Sequence, residues 1–294
     1  MSQAQRIPES AAGQRLDVAL SQLLGQTRSQ VQRMLKEQRV KVDSELRPAK
    51  WQVEGGEQIT VTQPEPQVGF EAPDLTILYE DDDVMAIDKP AGLVVHDTET
   101  GRMQPTVAAF AAAQGVEDDD DDRQGIVHRL DKDTSGVMLL AKNPKAKAYL
   151  QQQFRERKVD KRYIALVRGR LNEDEATIKL PIGRNRTTPI KRAVLPHGRQ
   201  AVTHYQVLER LAGACLVSIG LETGRTHQIR VHFAHLGHPV VGDTLYGEPT
   251  PGLNRQFLHA EQIEFVAPSG KTVKVSSPLP QELSDYLDAL RNKV

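Results

Sequence analysis

The chain has 294 residues, a formal net charge of −1 and one cysteine, Cys215. This length exceeds that of a typical domain, so we expect one large domain with an appendage, and a single cysteine excludes a disulfide within the chain. The longest apolar run, 107–113, is too short to cross a bilayer, and the polar N-terminus has no apolar signal core, so the sequence predicts a cytoplasmic protein.

The charge is distributed unevenly along the chain. Glu117 and the aspartates 118–122 form one acidic run, and the remainder of the chain therefore carries a net charge of +5. Such a run is typical of a solvated loop. The alternative is an electrostatic gate that repels a polyanion from one flank of a neighbouring site.

The first sixty residues predict a small α/β module. Apolar residues at helical spacing predict a helix over 14–24, closed by Gly25, and a second helix that begins at Ser29 as its N-cap. Alternating residues predict short strands at 40–42 and 58–61. The outer face of the second helix is basic, with Arg28, Arg33 and Lys36.

Composition alone favours a merely solvated face on that helix. However, Arg15-Leu16-Asp17, Thr27-Arg28-Ser29 and the Gly-Glu-x-Ile at 56–59 resemble the RNA-binding fold first seen in small-subunit ribosomal protein four. The resemblance implies that Arg28, Arg33 and Lys36 contact RNA. Three positions depart from the common pattern of that fold, which has glycine where this chain has Gln38 and Ser44, and asparagine where it has Asp43.

Prolines at 64 and 66 predict an extended linker between two domains, because proline lacks an N–H donor and stiffens the chain. We therefore divide the chain into a module at 1–62, a linker at 63–73 and a larger domain at 74–294. Two strands, 75–79 and 84–88, open the larger domain and lead into Asp88-Lys89-Pro90-Ala91-Gly92.

The most informative stretch is a polar loop at 128–136, between the apolar runs 126–127 and 137–141, which predicts a reactive turn at a sheet edge. Asp131 lies between Arg129 and a Thr-Ser-Gly turn, where a cation and hydrogen bonds can hold a nucleophilic carboxylate. An aspartate that only caps its own turn fits the spacing equally well. An aspartic protease is excluded, because the loop has one residue too many and no second copy.

This loop, His128-Arg129-Leu130-Asp131-x-x-Thr134-Ser135-Gly136, resembles the signature of the RluA-type pseudouridine synthases, which isomerise uridine in RNA. The resemblance implies an α+β protein: a catalytic fold with a mixed, largely antiparallel sheet and flanking helices, beside the small N-terminal RNA-binding module. It also implies that Asp131 is the catalytic aspartate and that Arg129 fills the space left by a flipped nucleotide. The substrate-binding residues implied by the motif are His128, Arg129 and Thr134. The match weakens at Asp97, where a proline is common, and in the acidic run.

Asn143-Pro144 predicts a helix start, with the helix running to about Arg157, followed by a strand at 161–167. Most tyrosines in such a strand are core residues. The strand nevertheless resembles the family's second motif, whose tyrosine stacks on the target base, and this implies a catalytic role for Tyr163.

Further strands are predicted at 176–183, 200–210 and 214–222. The segment 184–199 between two of them contains no acidic residue and is either a solvated loop or a surface that neutralises phosphates. We predict that this loop binds RNA through Arg184, Arg186, Lys191 and Arg192.

The stretch 221–232 resembles the family's third motif, at a strand that ends near Glu222 and a helix that runs to about Leu236. The resemblance implies that Arg225 pairs with the catalytic aspartate and that Ile229 lines the pocket. Four histidines, at 227, 232, 235 and 238, raise the possibility of a zinc site, but no cysteine or carboxylate lies at ligand spacing, so we expect no metal. Strands near 257–260 and 273–275 and a helix over 281–290 complete the domain.

The implied reaction breaks the bond between ribose and uracil nitrogen, rotates the base and forms a bond to carbon, so we expect no cofactor. Whether Asp131 attacks the base or the ribose stays open. We expect a monomer that acts on RNA, with large-subunit ribosomal RNA favoured over transfer RNA because related enzymes of this arrangement mostly act there. Two other classes remain: a non-catalytic RNA-binding or ribosome-assembly factor, and a nucleoside hydrolase or glycosidase, which ordinarily needs a second acid.

Overall fold

The computed structural model describes residues 3–62, 72–96, 105–118 and 123–292. The chain forms two compact units, Met1–Gly69 and Phe70–Val294. Most of the predicted linker, Asp97 and most of the acidic run lie outside the described residues. None of the helices in the described ranges is long and apolar enough to cross a membrane.

The first unit packs two helices on a three-stranded sheet. The sheet order is β1-β3-β2, and both pairs are antiparallel. Its core contains Leu16, Leu20, Val31 and Ile59, which are buried. The elements are β1 (Gln3–Arg6), α1 (Leu16–Leu24), α2 (Arg28–Lys36), β2 (Val40–Val42) and β3 (Gln58–Val61).

Helix α1 ends and helix α2 begins at specific capping residues. Gly25 closes α1 with a left-handed φ of 65°, as predicted. The prediction that Ser29 caps α2 is wrong, because the cap is Thr27. The hydroxyl of Thr27 accepts the N–H of Gln30, whose side chain accepts the N–H of Thr27, and this reciprocal pair satisfies two otherwise free donors.

The three positions that depart from the ribosomal-protein-four pattern all have left-handed backbone. The φ angles are 58° at Gln38, 47° at Asp43 and 69° at Ser44. The carboxylate of Asp43 accepts the N–H of Gln58 at 2.9 Å, which helps to hold this conformation. The register of β2 and β3 is nevertheless unbroken. The strain is therefore confined to the turns.

The second unit is built on a nine-stranded sheet. Its order is β4-β5-β6-β13-β7-β12-β11-β8, with β14 paired to β13. Within the described residues β6 and β13 are the only parallel pair of strands in this sheet, which confirms the predicted mixed, largely antiparallel class. The strands are β4 (Ile77–Glu80), β5 (Val84–Lys89), β6 (Ser135–Ala141), β7 (Asp160–Arg168), β8 (Glu175–Lys179), β11 (Val202–Leu211), β12 (Ala214–Leu221), β13 (Leu258–Val266) and β14 (Thr272–Ser276).

The single strand predicted over 176–183 is wrong. The chain leaves the sheet after β8 and forms a separate two-stranded hairpin, β9 (Ile182–Arg184) and β10 (Arg192–Val194). Pro181 lies at the break, and its missing N–H is a physical reason for the ladder to stop there. The predicted basic segment thus forms the hairpin and its turn.

In the described ranges, four α-helices cover the large sheet: α3 (Val107–Ala113), α4 (Pro144–Arg155), α5 (Gln228–His235) and α6 (Gln281–Arg291). Asn143 caps α4, as predicted, through a 2.9 Å bond from the N–H of Ala146 to its side chain. Phe110 of α3 and Phe233 of α5 belong to one apolar core, while Leu150 of α4 packs in another. Every residue of β6 is buried, so the start of this strand is a rigid base for the loop before it.

Gly136, the second residue of β6, lies against β13. Its φ is +116°, and a Cβ atom there would fall on the carbonyl oxygen of Ala260. We expect Gly136→Ala to lower the free energy of unfolding by about 3 kcal/mol, because backbone strain and a backbone clash add together.

Gly213 supplies the matched control, because its φ is also positive, at +73°, but nothing lies within 4 Å of the Cβ position. Gly213→Ala should cost only about 1 kcal/mol, from strain alone. Urea denaturation of both variants measures the difference, and equal losses would contradict this account.

Candidate active site

A pocket opens in the second unit between the Asp131 loop and the start of α5. The described structure brings six of the predicted site residues to its wall. These residues are Arg129, Asp131, Thr134, Tyr163, Arg225 and Ile229. Leu130, Leu221, Leu258 and the residues at 224, 226–228 and 230 complete the lining. The pocket thus has a mixed wall, with one carboxylate, one phenol, several cations and aliphatic side chains.

The Asp131 loop is held from below by Lys89, at the end of β5. Lys89 is 0 % exposed, and its Nζ donates to the carbonyl oxygens of Lys132 at 3.0 Å, Pro90 at 2.8 Å and Leu93 at 2.9 Å. Burial lowers the pKa of Lys89 to about 8, although Asp133 and Asp131 partly oppose the shift. This lysine explains why Asp88-Lys89-Pro90 lies close to the loop in space. Sequence reasoning gave it no role.

Arg255 and Gln256 hold the other side of the same loop. Arg255 donates to the carbonyl oxygen of Asp133 at 3.3 Å, to the hydroxyl of Ser135 at 3.1 Å and to Glu282 of α6 at 2.7 Å. Gln256 donates to the hydroxyl of Thr134 at 3.3 Å. The loop backbone is therefore fixed by side chains from two distant segments of the chain.

The cation that pairs with Asp131 is Arg230. Its Nη1 donates to Asp131 at 3.1 Å, while Nε and Nη2 donate to Asp243 at 2.7 Å and 2.9 Å. Asp243 is 0 % exposed, and the Arg230 side chain is only 8% exposed. Burial lowers the pKa of Arg230, but Asp243 and Asp131 outweigh it and hold that pKa above its usual value. Arg230 therefore places a fixed positive charge against Asp131.

The predicted pairing of Arg225 with Asp131 is wrong. Arg225 donates its Nε to the carbonyl oxygen of Gln200 at 3.0 Å and its backbone N–H to Gln228 at 3.0 Å. It belongs to the turn before α5, whereas Arg230 lies on the buried side of the helix, three residues before Phe233. An arginine among buried residues needs an internal acid, and the burial of α5 identifies Arg230 as that arginine, which its spacing in the motif does not reveal.

Tyr163 and Ile229 form part of the apolar wall. Tyr163 is buried in β7, and its burial, followed by the charge of Asp131, raises the pKa of the phenol above its usual value. The phenol is therefore neutral at physiological pH. Ile229 and Leu258 are also buried, at 4% and 3% exposure, and give the pocket a surface that suits a planar base.

His128 was expected to bind substrate, but it is not part of the pocket wall. Its Nε2 accepts the backbone N–H of Leu139 at 2.9 Å, and its ring stacks on Phe154 with centroids 4.8 Å apart. Burial of the ring, with the charge of Lys161, lowers the pKa of His128 to about 3, although part of the residue reaches the surface. His128 is thus a neutral acceptor that fixes the loop to β6.

The basic residues predicted to bind RNA differ in their surroundings. Arg184 and Arg186 are exposed on the β9–β10 hairpin, and Lys191 and Arg192 are half-buried there. In the first unit Arg33 and Lys36 are exposed. Arg28 donates to Asp17 at 2.9 Å, and Asp17 also accepts from Arg15, whose hydrogen bond is the main reason that the pKa of Asp17 is held well below its usual range. Arg28 therefore also stabilises its own module.

The histidines of the third motif are hydrogen-bonded to separate partners. His232 is hydrogen-bonded to Thr203 and to the carbonyl oxygen of Leu180, and His238 to the carbonyl oxygen of Arg168. In the ranges that the structure describes, no group of three or more His, Cys, Asp or Glu side chains is arranged to hold a metal ion.

The pattern of residues around Asp131 corresponds to a known family. The profile of RNA pseudouridylate synthases matches residues 83–235, which is more than half of the chain. The chain belongs to this family. The profile of the S4 domain matches residues 14–59, which agrees with the predicted ribosomal-protein-four-like module.

Full-length relatives support the assignment. The ribosomal large subunit pseudouridine synthase D of Nitrosomonas europaea is 42% identical over 97% of this chain and 87% of its own. The enzyme of the same name from Xanthomonas campestris is 40% identical over 97% and 91%. Among solved structures, human RNA pseudouridylate synthase domain containing 1 has a TM-score of 0.58 and 29% identity, covering 74% of this chain and 95% of its own. These matches confirm the RluA-type resemblance and the predicted fold class. They also confirm the predicted class of activity, because a pseudouridylate synthase is an isomerase.

The two arginines of the third motif can be separated by mutation. Arg230→Met leaves the fully buried Asp243 without its cation, so we expect a loss of about 3 to 5 kcal/mol in the free energy of unfolding. Arg225→Met removes one hydrogen bond to a backbone carbonyl and should cost about 1 kcal/mol. Urea denaturation at pH 7 measures both, and a larger loss for Arg225→Met would show that the pairing is misassigned.

Proposed function

We propose that this synthase isomerises uridines in large-subunit ribosomal RNA, with Asp131 as the nucleophile. The observation that carries the proposal is the carboxylate of Asp131, 3.1 Å from Arg230, at a pocket walled by Tyr163 and Ile229. The choice of RNA rests on the relatives named as large-subunit enzymes and on the S4 module. We further infer that it works as a cytoplasmic monomer.

The proposed reaction begins when the target nucleotide leaves its stack, at a cost of a few kcal/mol. Arg129, which is exposed at the pocket mouth, fills the vacated space. Asp131 then attacks the base or the ribose, and the bond between ribose C1′ and uracil N1 breaks. The base turns, a bond forms between C1′ and C5, and the bond to Asp131 breaks, which regenerates the free carboxylate. The C5 proton leaves to solvent and N1 gains a proton. The product is an isomer of the substrate, so no cofactor is consumed.

The pocket wall has a role in each of these steps. Tyr163 stacks on the uracil, and its neutral hydroxyl helps to move the C5 proton. Ile229 bounds the ring on an aliphatic side, which keeps water from the separated base. Thr134, held by Gln256 and by the turn to the carbonyl oxygen of Asp131, keeps the loop in place under the substrate. Arg225 faces the pocket as a substrate contact rather than as the partner of Asp131.

A glycosidase is a weaker alternative. Such an enzyme ordinarily uses a second carboxyl group as acid or base. Asp243 is the second carboxylate of the Arg230 cluster, but it is fully buried and accepts from Arg230 and from the N–H groups of Leu245 and Tyr246. Asp243 therefore has a structural role. A non-catalytic RNA-binding factor would share the basic surfaces but would not need an arginine-paired aspartate in a pocket.

Tritium release tests the activity. With unmodified large-subunit ribosomal RNA labelled at uracil C5, the wild type should release tritium and Asp131→Asn should reduce release by at least about 10³-fold, since a carboxamide is a poor nucleophile. RNA binding by the variant should stay within twofold of the wild type. Release of free uracil would indicate a hydrolase, and no release by the wild type from ribosomal RNA or from transfer RNA would indicate a binding factor.

The hairpin supplies a second test, through salt dependence. If Arg184 and Arg186 each neutralise one phosphate, replacing both with alanine should weaken RNA binding at every sequence and reduce the slope of log K against log salt by about 1.5. Replacing Lys271 and Lys274, exposed on the β13–β14 turn and on β14, is the control and should leave the slope unchanged. Equal slopes in the wild type, the hairpin variant and the control variant would show that the hairpin is not part of the RNA-binding surface.

A further inference from the structure

His227 lies at the pocket wall, but the proposed reaction assigns it no role. It precedes α5 with a left-handed φ of 58°, a conformation that is unfavourable for any residue with a Cβ. Its side chain is only 15% exposed, and its Nε2 lies 3.9 Å from a carboxylate oxygen of Asp131. The strained backbone therefore places an imidazole beside the nucleophile.

Tyr246 fixes the orientation of this imidazole. The Tyr246 hydroxyl lies 2.8 Å from Nδ1 of His227 and accepts the backbone N–H of Arg192 at 2.7 Å. Its ring meets His227 edge-on at 5.5 Å and lies under the Arg230 guanidinium at 5.2 Å. Tyr246 thus contacts the imidazole, the cation that pairs with Asp131, and the first residue of β10.

These contacts favour one of the two neutral tautomers of His227. With its oxygen accepting from Arg192, Tyr246 has one O–H to donate, and Nδ1 is the acceptor within reach. The proton of the neutral ring is then on Nε2, where it faces the Asp131 carboxylate favourably. The opposite tautomer would direct a lone pair at that carboxylate. Burial lowers the pKa of His227, so the ring is neutral at physiological pH.

The Nε2–H group is available for a ligand. At 3.9 Å it is too far from Asp131 for a hydrogen bond. Uracil offers two carbonyl oxygens as acceptors. His227 lines the same pocket as Tyr163 and Asp131, so the edge of a base stacked on Tyr163 can face the start of α5. A donor at this place distinguishes correct from incorrect rotation of the base.

We propose that His227 orients the target uracil by donating from Nε2 to one of its carbonyl oxygens, and that Tyr246 is a positioning residue that fixes this tautomer. The proposal rests on the proposed function. Tyr246 also accepts the backbone N–H of Arg192. The residue that orients the imidazole is therefore hydrogen-bonded to the basic β9–β10 hairpin, and it joins this hairpin to the pocket.

Three single variants and one double variant test the proposal. His227→Phe keeps a ring without a donor, His227→Gln keeps an N–H donor at similar reach, and Tyr246→Phe keeps the ring that packs on Arg230 but removes the hydroxyl. The double variant joins His227→Phe with Tyr246→Phe. The measurement is the single-turnover rate of tritium release with enzyme in excess over C5-labelled unmodified large-subunit ribosomal RNA.

We expect His227→Phe to slow the reaction by about tenfold, the effect of one lost hydrogen bond in the transition state, with RNA affinity unchanged within twofold. His227→Gln should recover the rate to within about threefold of the wild type. Tyr246→Phe should slow the wild type by about threefold but have no further effect in the His227→Phe background, because both act through one contact.

A wild-type rate in His227→Phe would overturn the proposal. A rate in His227→Gln as low as in His227→Phe, with thermal unfolding unchanged, would also overturn it, as would effects of the two residues that multiply independently. Where His227→Phe does not fold, the comparison of His227→Gln with Tyr246→Phe decides: a slow Gln variant or a fully active Tyr246→Phe contradicts the assignment. Absence of release by the wild type would instead contradict the proposed function.

Discussion

One buried guanidinium holds the geometry of the Asp131 pocket together. Arg230 bridges Asp131 and Asp243, and Asp243 is itself fixed by the N–H groups of Leu245 and Tyr246 at 3.0 Å and 3.1 Å. Removing a guanidinium and two carboxylates from water is costly, and only several well-formed hydrogen bonds offset that cost. The bridge therefore transmits the position of a rigid backbone turn to the carboxylate that faces the pocket. Asp131 is placed by this turn as much as by its own loop.

The loop that carries Asp131 is fixed at its main chain as well. Lys89, Arg255 and the turn bond from Thr134 satisfy its carbonyl oxygens, and Gln256 binds the Thr134 hydroxyl. These partners come from separate strands and turns of the second unit. A carboxylate held in this way loses little conformational freedom when a ligand binds, which is how positioning lowers a barrier. The same anchoring gives the polar residues of the loop a structural role.

Much of the fold and of the pocket could be predicted from the sequence. Periodicity and capping residues located most helices and strands, and the motif around Asp131 located the loop, Tyr163 and Ile229. The predicted partner of Asp131 was wrong because Arg225 and Arg230 lie in one motif, and spacing does not tell which of them faces inward. The burial of α5 shows that Arg230 does. His128 was misplaced for a similar reason, since a motif records that a residue is needed, not whether it faces the substrate or the backbone of β6.

Other features depended on contacts that no local pattern contains. The run 107–113 was too short for a bilayer and was given no other role, yet it is helix α3, stabilised by packing against the core rather than by its own length. Ser29 and Thr27 are both good caps, and only the reciprocal bond with Gln30 selects Thr27. Lys89 and Arg255 donate hydrogen bonds to the Asp131 loop from positions that are distant along the chain.

The parallel pairing of β6 with β13 also determines when the pocket exists during synthesis. Ser135 lies beside His259, and their side chains are hydrogen-bonded across 124 positions of sequence. Closing such a long segment makes this pairing a slow, late step of folding. Until the segment around residue 259 has left the ribosome, the nascent chain lacks the strand β13 beside β6 and the Arg255 and Gln256 side chains that hold the Asp131 loop. A newly made chain therefore becomes competent only after this segment has been translated, when the N-terminal module has long been exposed.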